Sequence, residues 1–194
     1  RRPSSESADA SDDKGSSPAR GSYPAAPHPS PADLSVGHSR DVSAEVRQTF
    51  LAGVVRNNGQ AIADDFDRQI GDVQSTFARA VAGYGLRAND FSDVMTAYML
   101  MMWMAANQHM ALPRIAQVNG VRAQLRPRLA GKIADARQRQ HVAEMMMYQA
   151  CILIAAREQA EQGRPQLLRA AASAIERSQG DQLRRLALTD QGLQ

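Results

Sequence analysis

The stretch Asn89–Met110, NDFSDVMTAYMLMMWMAANQHM, decides the fold of this chain. It opens with polar residues and then becomes apolar on every side, with five methionines and the only tryptophan between Met95 and Met104. A helix that is apolar all round is typical of the centre of a bundle or of a membrane span. The apolar part, Val94 to Ala106, has 13 residues, whereas a span needs about 20. The stretch therefore predicts a buried central helix.

Apolar residues recur at helical spacing from Asp41 to the C-terminus, with no alternation long enough for a sheet. Polar breaks that contain glycine, such as the NNG at 57–59 and the QGRP at 162–165, separate the helices. We therefore predict an all-α fold, a single helical bundle of about five to six helices over residues 41–194. The predicted helices cover about 41–55, 60–82, 89–110, 118–129, 134–162 and 165–177, and a short segment follows them.

Residues 1–40 differ from the rest of the chain in composition. They contain six of the nine prolines, and their only sizeable apolar residues are Tyr23, Leu34 and Val36. Such a segment buries too little apolar surface to offset the entropy that ordering it would cost. We predict a disordered or extended N-terminal tail over residues 1–40, which serves as a tether or as a docking arm for a partner.

The basic residues are concentrated in the second half of the chain. The formal net charge is +3, and residues 113–194 hold thirteen basic and seven acidic residues. The arginines alternate with glutamates at helical spacing, which indicates a solvated helix face. Tyr148 is the only aromatic residue in that half, so the stacking platforms that bind single-stranded nucleic acid are missing. We predict no nucleic-acid partner.

Methionine can ligate soft metal ions, and Met95, Met99 and Met102 share one helix face. Methionine also fills irregular gaps in protein cores, and the apolar neighbours of these residues favour that role. Cys151 lies in the most apolar part of a later helix, which predicts an inert buried thiol. The sequence contains no phosphate-binding glycine loop, zinc-type ligand pair or nucleophile elbow. We predict no catalytic residue, no metal and no cofactor.

Polar side chains within or next to the apolar blocks are the candidate ligand-binding residues: Asp90, Asp93, Tyr98, Tyr148 and Gln149. Asn89 or Asp90 is the predicted N-cap of the central helix, and Asp93 lies in its first turn, where negative charge is favourable. The other three bring hydrogen-bonding groups into the core, and buried polar groups need partners. One interpretation is a structural network between the central helix and helix 134–162, with Asn107 or Asp93 as a partner. The other interpretation is a ligand pocket. In a structural network these polar groups are sealed from solvent, whereas in a ligand pocket they line an open cleft.

The central helix also carries an Asn-Asp-x-x-Asp-x-x-x-x-Tyr pattern with a downstream tryptophan, at Asn89, Asp90, Asp93, Tyr98 and Trp103. With a later YQA and the terminal LRRLALTDQGL, it resembles a family of helical proteobacterial proteins of unknown function that often follow a signal peptide. The resemblance covers about residues 42–194. It implies a helical fold and export to the periplasm or the medium, and it implies no mechanism.

The leading hypothesis is a non-enzymatic, exported helical interaction protein, either a binding module or a self-associating structural protein. Its partner is another protein or a second copy of the chain, and an inhibitor or immunity-type protein is a special case. The alternative is an enzyme or a small-ligand-binding protein with a polar pocket around Asp90, Asp93, Tyr98 and Gln149. A cytoplasmic location is the alternative to export.

Overall fold

The structure, a computed structural model, describes residues 33–194, and most of these residues are helical. The predicted all-α fold class is confirmed. The described residues form eight α-helices, a 3-10 turn at Ala82–Tyr84 and one two-stranded hairpin. The helices are α1 Arg40–Asn58, α2 Gln60–Ile70, α3 Val73–Val81, α4 Phe91–Ala106, α5 Ile115–Leu129, α6 Ala136–Glu161, α7 Gln166–Gln179 and α8 Gln182–Arg185, and the strands are β1 Leu188–Thr189 and β2 Gly192–Leu193.

Helix α4 is the central helix that its sequence predicts. Asp90 is its N-cap, and the Asp90 side chain accepts hydrogen bonds from the backbone N–H groups of Ser92 and Asp93. Twelve of its sixteen residues are buried, because α5, α6 and α7 pack around it. Among the residues that the structure describes, no helix is both long and apolar enough to cross a membrane.

The single helix predicted over residues 60–82 is wrong, since two helices occupy this stretch. Helix α2 ends at Gly71, whose φ of 57° is rarely adopted by residues with a side chain. Asp72 then caps α3, and its side chain accepts a hydrogen bond of 3.0 Å from the backbone N–H of Ser75. A glycine that ends one helix, followed directly by an aspartate that caps the next, interrupts the helix even though apolar residues continue at helical spacing on both sides.

Part of the predicted tail is built into the bundle. Leu34 and Val36 are buried in the main hydrophobic core, and residues 33–39 are not helical. The backbone N–H of Val36 donates to Asn89 O at 3.0 Å, and that of Phe91 donates to Leu34 O at 2.7 Å. The packed domain therefore begins near residue 33 rather than at residue 41, and residues 1–32 of the predicted tail lie outside the described residues.

The C-terminal hairpin closes the bundle against α5. Both the amide nitrogen and the oxygen of the Gln124 side chain bond to the backbone of Leu193, at 2.8 and 3.1 Å. Gly120, in the middle of α5, faces the hairpin so closely that an added Cβ would lie 2.4 Å from Asp190 O. The absence of a side chain at this position sets the distance between helix and hairpin.

Candidate functional site

The first two predicted site residues, Asp90 and Asp93, are ion-paired where α4 begins. Asp90 Oδ2 accepts from Arg87 Nη2 at 3.1 Å and from Arg126 Nη1 at 3.0 Å. Asp93 Oδ1 lies 2.6 Å from Arg122 Nε, and its Oδ2 accepts from Arg87 and Arg122. We call these five residues the aspartate–arginine cluster. It ties the start of α4 to α5 and to the loop before α4.

The two carboxyl groups of this cluster titrate differently. Burial alone would raise the pKa of Asp90, but the hydrogen bonds from Ser92 and Arg126 outweigh it and hold that pKa below its ordinary value. For Asp93, burial and the neighbouring Asp90 charge raise the pKa against the opposing effect of Arg122. Both side chains are at least nine-tenths buried and ion-paired with arginines. They are built to hold the helix start in place.

The other three predicted residues lie elsewhere. Tyr98 is half-buried in a second hydrophobic cluster between α4, α6, α7 and α8, and burial raises its pKa. The ring of Tyr148 stacks on Phe50 with centroids 4.6 Å apart, and burial raises its pKa to about 12. Gln149 is half-buried on α6.

Asn107 and Asp93 were the partners expected for these residues. Asp93 belongs to the aspartate–arginine cluster, and the Asn107 amide donates to Trp103 O and Leu183 O. Of the four main clefts in residues 33–194, one contacts Tyr148 and none contacts the other four predicted residues. The predicted pocket is therefore not assembled from these side chains.

A different polar group occupies the core instead. Glu144 on α6 is fully buried, and its Oε1 accepts three hydrogen bonds. The donors are Ser43 Oγ at 2.7 Å, Gln74 Nε2 at 2.7 Å and Gln140 Nε2 at 2.8 Å. We call these four residues the Glu144 network. It connects α1, α3 and α6, and the sequence signal for it was a glutamate within the apolar block VAEMMMYQA.

Two adjoining clefts open above the Glu144 network. The polar cleft has a volume of about 570 Å³, with Gln74 at its wall and the basic side chains His38, Arg40 and Arg87 around it. The smaller cleft has a volume of about 340 Å³ and reaches Glu144 and Tyr148. Ser43 and Asp72 line both clefts. The network thus lies beneath a concave polar surface rather than in a sealed core.

A third concave surface is apolar. This apolar groove has a volume of about 260 Å³ and runs between α3, α4 and α6 beside the loop that joins α4 to α5. Leu112 lies at the groove and is 55% exposed, and nearby Ile115 is 58% exposed. The other large apolar residues that line the groove are Val81, Leu86, Leu100, Met101, Val118 and Ile154.

The metal-ligating and thiol side chains of residues 33–194 were the remaining candidates for a chemical site. Among residues 33–194, no three or more His, Cys, Asp or Glu side chains are grouped so that they could hold a metal ion. Cys151 is buried, and burial raises its thiol pKa to about 11. At such a pKa the reactive thiolate is scarce at neutral pH.

Comparisons with models of protein families, with curated proteins and with solved structures found no match to this chain. The resemblance to the proteobacterial family stays a prediction.

Proposed function

We propose that this protein is a non-enzymatic interaction protein that self-associates through the surface formed by the apolar groove, Leu112 and Ile115. The observation that supports the proposal is the exposure of these two side chains, each more than half accessible, beside an apolar groove. Contiguous exposed apolar surface of this kind is typical of interfaces. Pockets that receive an apolar side chain are where interface energy concentrates.

A second copy of the chain is the partner that this surface fits best. The same surface carries both exposed apolar side chains, Leu112 and Ile115, and a recess. In a two-fold symmetric interface the same patch is used twice, so the exposed side chains of each copy can pack against the recess of the other. One symmetric contact therefore covers Leu112, Ile115 and the groove in both copies.

The test is the molar mass of the protein in solution, measured by light scattering and sedimentation equilibrium over a range of concentrations. The chain of 21.1 kDa is expected to form a dimer of twice that mass, 42.2 kDa. The variants Leu112→Glu and Ile115→Glu are expected to shift the mass to that of the monomer. Each buried aliphatic side chain contributes about 1 kcal/mol here, so losing two Leu112 contacts weakens the dimer by roughly 30-fold.

Leu167→Glu is the matched control, because Leu167 is 50% exposed but lies on α7, which does not line the groove. This variant is expected to remain a dimer. A wild-type protein that stays monomeric at all concentrations contradicts the proposal. A dimer that survives both Leu112→Glu and Ile115→Glu contradicts the choice of surface.

Export is the second part of the proposal, and it rests on the family resemblance around Asn89 and Asp90. Location is tested by fractionating cells that express the tagged protein from its own gene. Recovery in the periplasm or the medium is the expected result. Recovery with the cytoplasmic markers would contradict export and leave the interaction proposal standing.

A further inference from the structure

Glu144 is a buried carboxylate that no basic side chain of residues 33–194 neutralises. Its side chain is fully buried, and it takes part in no ion pair with a basic side chain of residues 33–194. Its three hydrogen-bond donors, from Ser43, Gln74 and Gln140, are all neutral groups. Buried charges in proteins are normally paired, because an unpaired one loses its hydration without compensation.

The hydrogen bonds of the Glu144 network leave two acceptor atoms unused. All three donors bond to Oε1, so the buried Glu144 Oε2 has no hydrogen-bond partner among residues 33–194. Gln74 Oε1 is the other buried atom of the network for which this part of the chain supplies no partner. The two side chains are joined by the 2.7 Å bond from Gln74 Nε2 to Glu144 Oε1, so the unused oxygens belong to neighbouring groups. A pair of unused acceptors beside an uncompensated charge fits a cationic hydrogen-bond donor.

The clefts border the two residues that carry these atoms. Glu144 lines the smaller cleft, and Gln74 lines the adjoining polar cleft. Arg47 also lines the smaller cleft, but its guanidinium is engaged by Asp67, with Nε 2.6 Å from Oδ1. Asp72 adds a second carboxylate to the same cleft. Among the residues that line this cleft, Arg47 is paired with Asp67, so Asp72 and Glu144 are the two carboxylates there without an ion pair among residues 33–194.

We infer that the smaller cleft binds the ammonium group of a small primary amine, with Glu144 as its counter-charge. An ammonium group offers three donors and one positive charge. It satisfies Glu144 Oε2 and Gln74 Oε1 and directs its third N–H toward Asp72 or water. The alkyl part of the ligand lies in the cleft beside the aromatic ring of Tyr148. This site is separate from the apolar groove and does not depend on self-association.

The test uses butylammonium as the probe and isothermal titration calorimetry and thermal unfolding as readouts, at constant ionic strength. Wild-type protein is expected to bind butylammonium saturably, with one site per chain and a raised Tm. Butan-1-ol, which has no charge, and tetramethylammonium, which has a charge but no N–H, are expected not to bind. Saturable binding of butan-1-ol or tetramethylammonium equal to that of butylammonium would overturn the assignment of an ammonium site.

Glu144→Gln keeps the shape and removes the charge, and it is expected to weaken butylammonium binding at least tenfold. Glu176→Gln, at an exposed position of α7 that lines none of the four clefts, is the control and is expected to bind like wild type. Gln74→Met removes the second acceptor and is also expected to weaken butylammonium binding. It tests the site even if the Glu144→Gln protein does not fold. Wild-type protein that shows no saturable binding overturns the inference, as does unchanged affinity in both Glu144→Gln and Gln74→Met.

Discussion

Replacing Gly120 with alanine is expected to destabilise the protein, although alanine is the better helix former. In an exposed helix interior the exchange gains about 1 kcal/mol, because glycine loses more backbone entropy on folding. At position 120 the new Cβ would lie 2.4 Å from Asp190 O and 2.6 Å from Gly192 N. These are backbone atoms of the hairpin, so no side-chain rotation relieves the contact.

The size of the effect follows from the hairpin contacts. Ordinary van der Waals contact begins at 3.4 Å, so helix and hairpin must separate by 3.4 − 2.4 = 1.0 Å. The two Gln124–Leu193 bonds, at 2.8 and 3.1 Å, and the Gln117–Leu188 bond, at 3.1 Å, would then exceed hydrogen-bonding distance. At about 1 kcal/mol each, their loss costs about 3 kcal/mol, and the net destabilisation is about 2 kcal/mol after the helix gain.

The measurement is the free energy of unfolding in urea, followed by circular dichroism. Gly53→Ala in α1 is the matched control, because its Cβ meets nothing nearer than Arg56 Nη2 at 3.7 Å. Gly53→Ala is expected to stabilise the protein by up to about 1 kcal/mol. The opposite signs at two helical glycines are the expected result. A Gly120→Ala protein that is as stable as wild type would refute the close packing of α5 against the hairpin.

Two further predictions concern titratable groups. Asp90→Asn keeps a capping oxygen but removes the charge that Arg87 and Arg126 pair with, so it is expected to cost about 1–3 kcal/mol near neutral pH. Because the fold lowers the pKa of Asp90, its contribution is present above the unfolded pKa and is lost as the pH falls through the folded value. The difference in the free energy of unfolding between Asp90→Asn and wild type should therefore disappear in acid. Urea unfolding of both proteins near neutral pH and in acid will show whether it does. Cys151 is expected to react with a disulfide reagent only after denaturation, since burial raises its pKa to about 11, and fast labelling of the native protein would contradict its burial.

The central helix was accessible to sequence reasoning because its determinants are local. The Asp90 cap, the apolar run and its length all act within one element, and α4 begins and is buried as predicted. The break at Gly71 is also local, but the apolar stripe that continues across it concealed the boundary.

The N-terminal segment could not be assigned in the same way. Leu34 and Val36 occur in a proline-rich and serine-rich stretch, where two apolar residues alone do not indicate packing. They are buried because the backbone around Asn89 offers two hydrogen bonds to this segment. Only the assembled bundle brings this backbone next to the N-terminal segment.

The sequence by itself thus determined the helical class, the capped central helix and the burial of its apolar faces. The tertiary structure alone decided which polar groups meet. Glu144 receives two of its three hydrogen bonds from Ser43 and Gln74, which lie 101 and 70 residues away along the chain. Helical periodicity relates residues only three or four positions apart. The partners of a buried carboxylate, and the clefts above it, are set by how α1, α3 and α6 pack against each other.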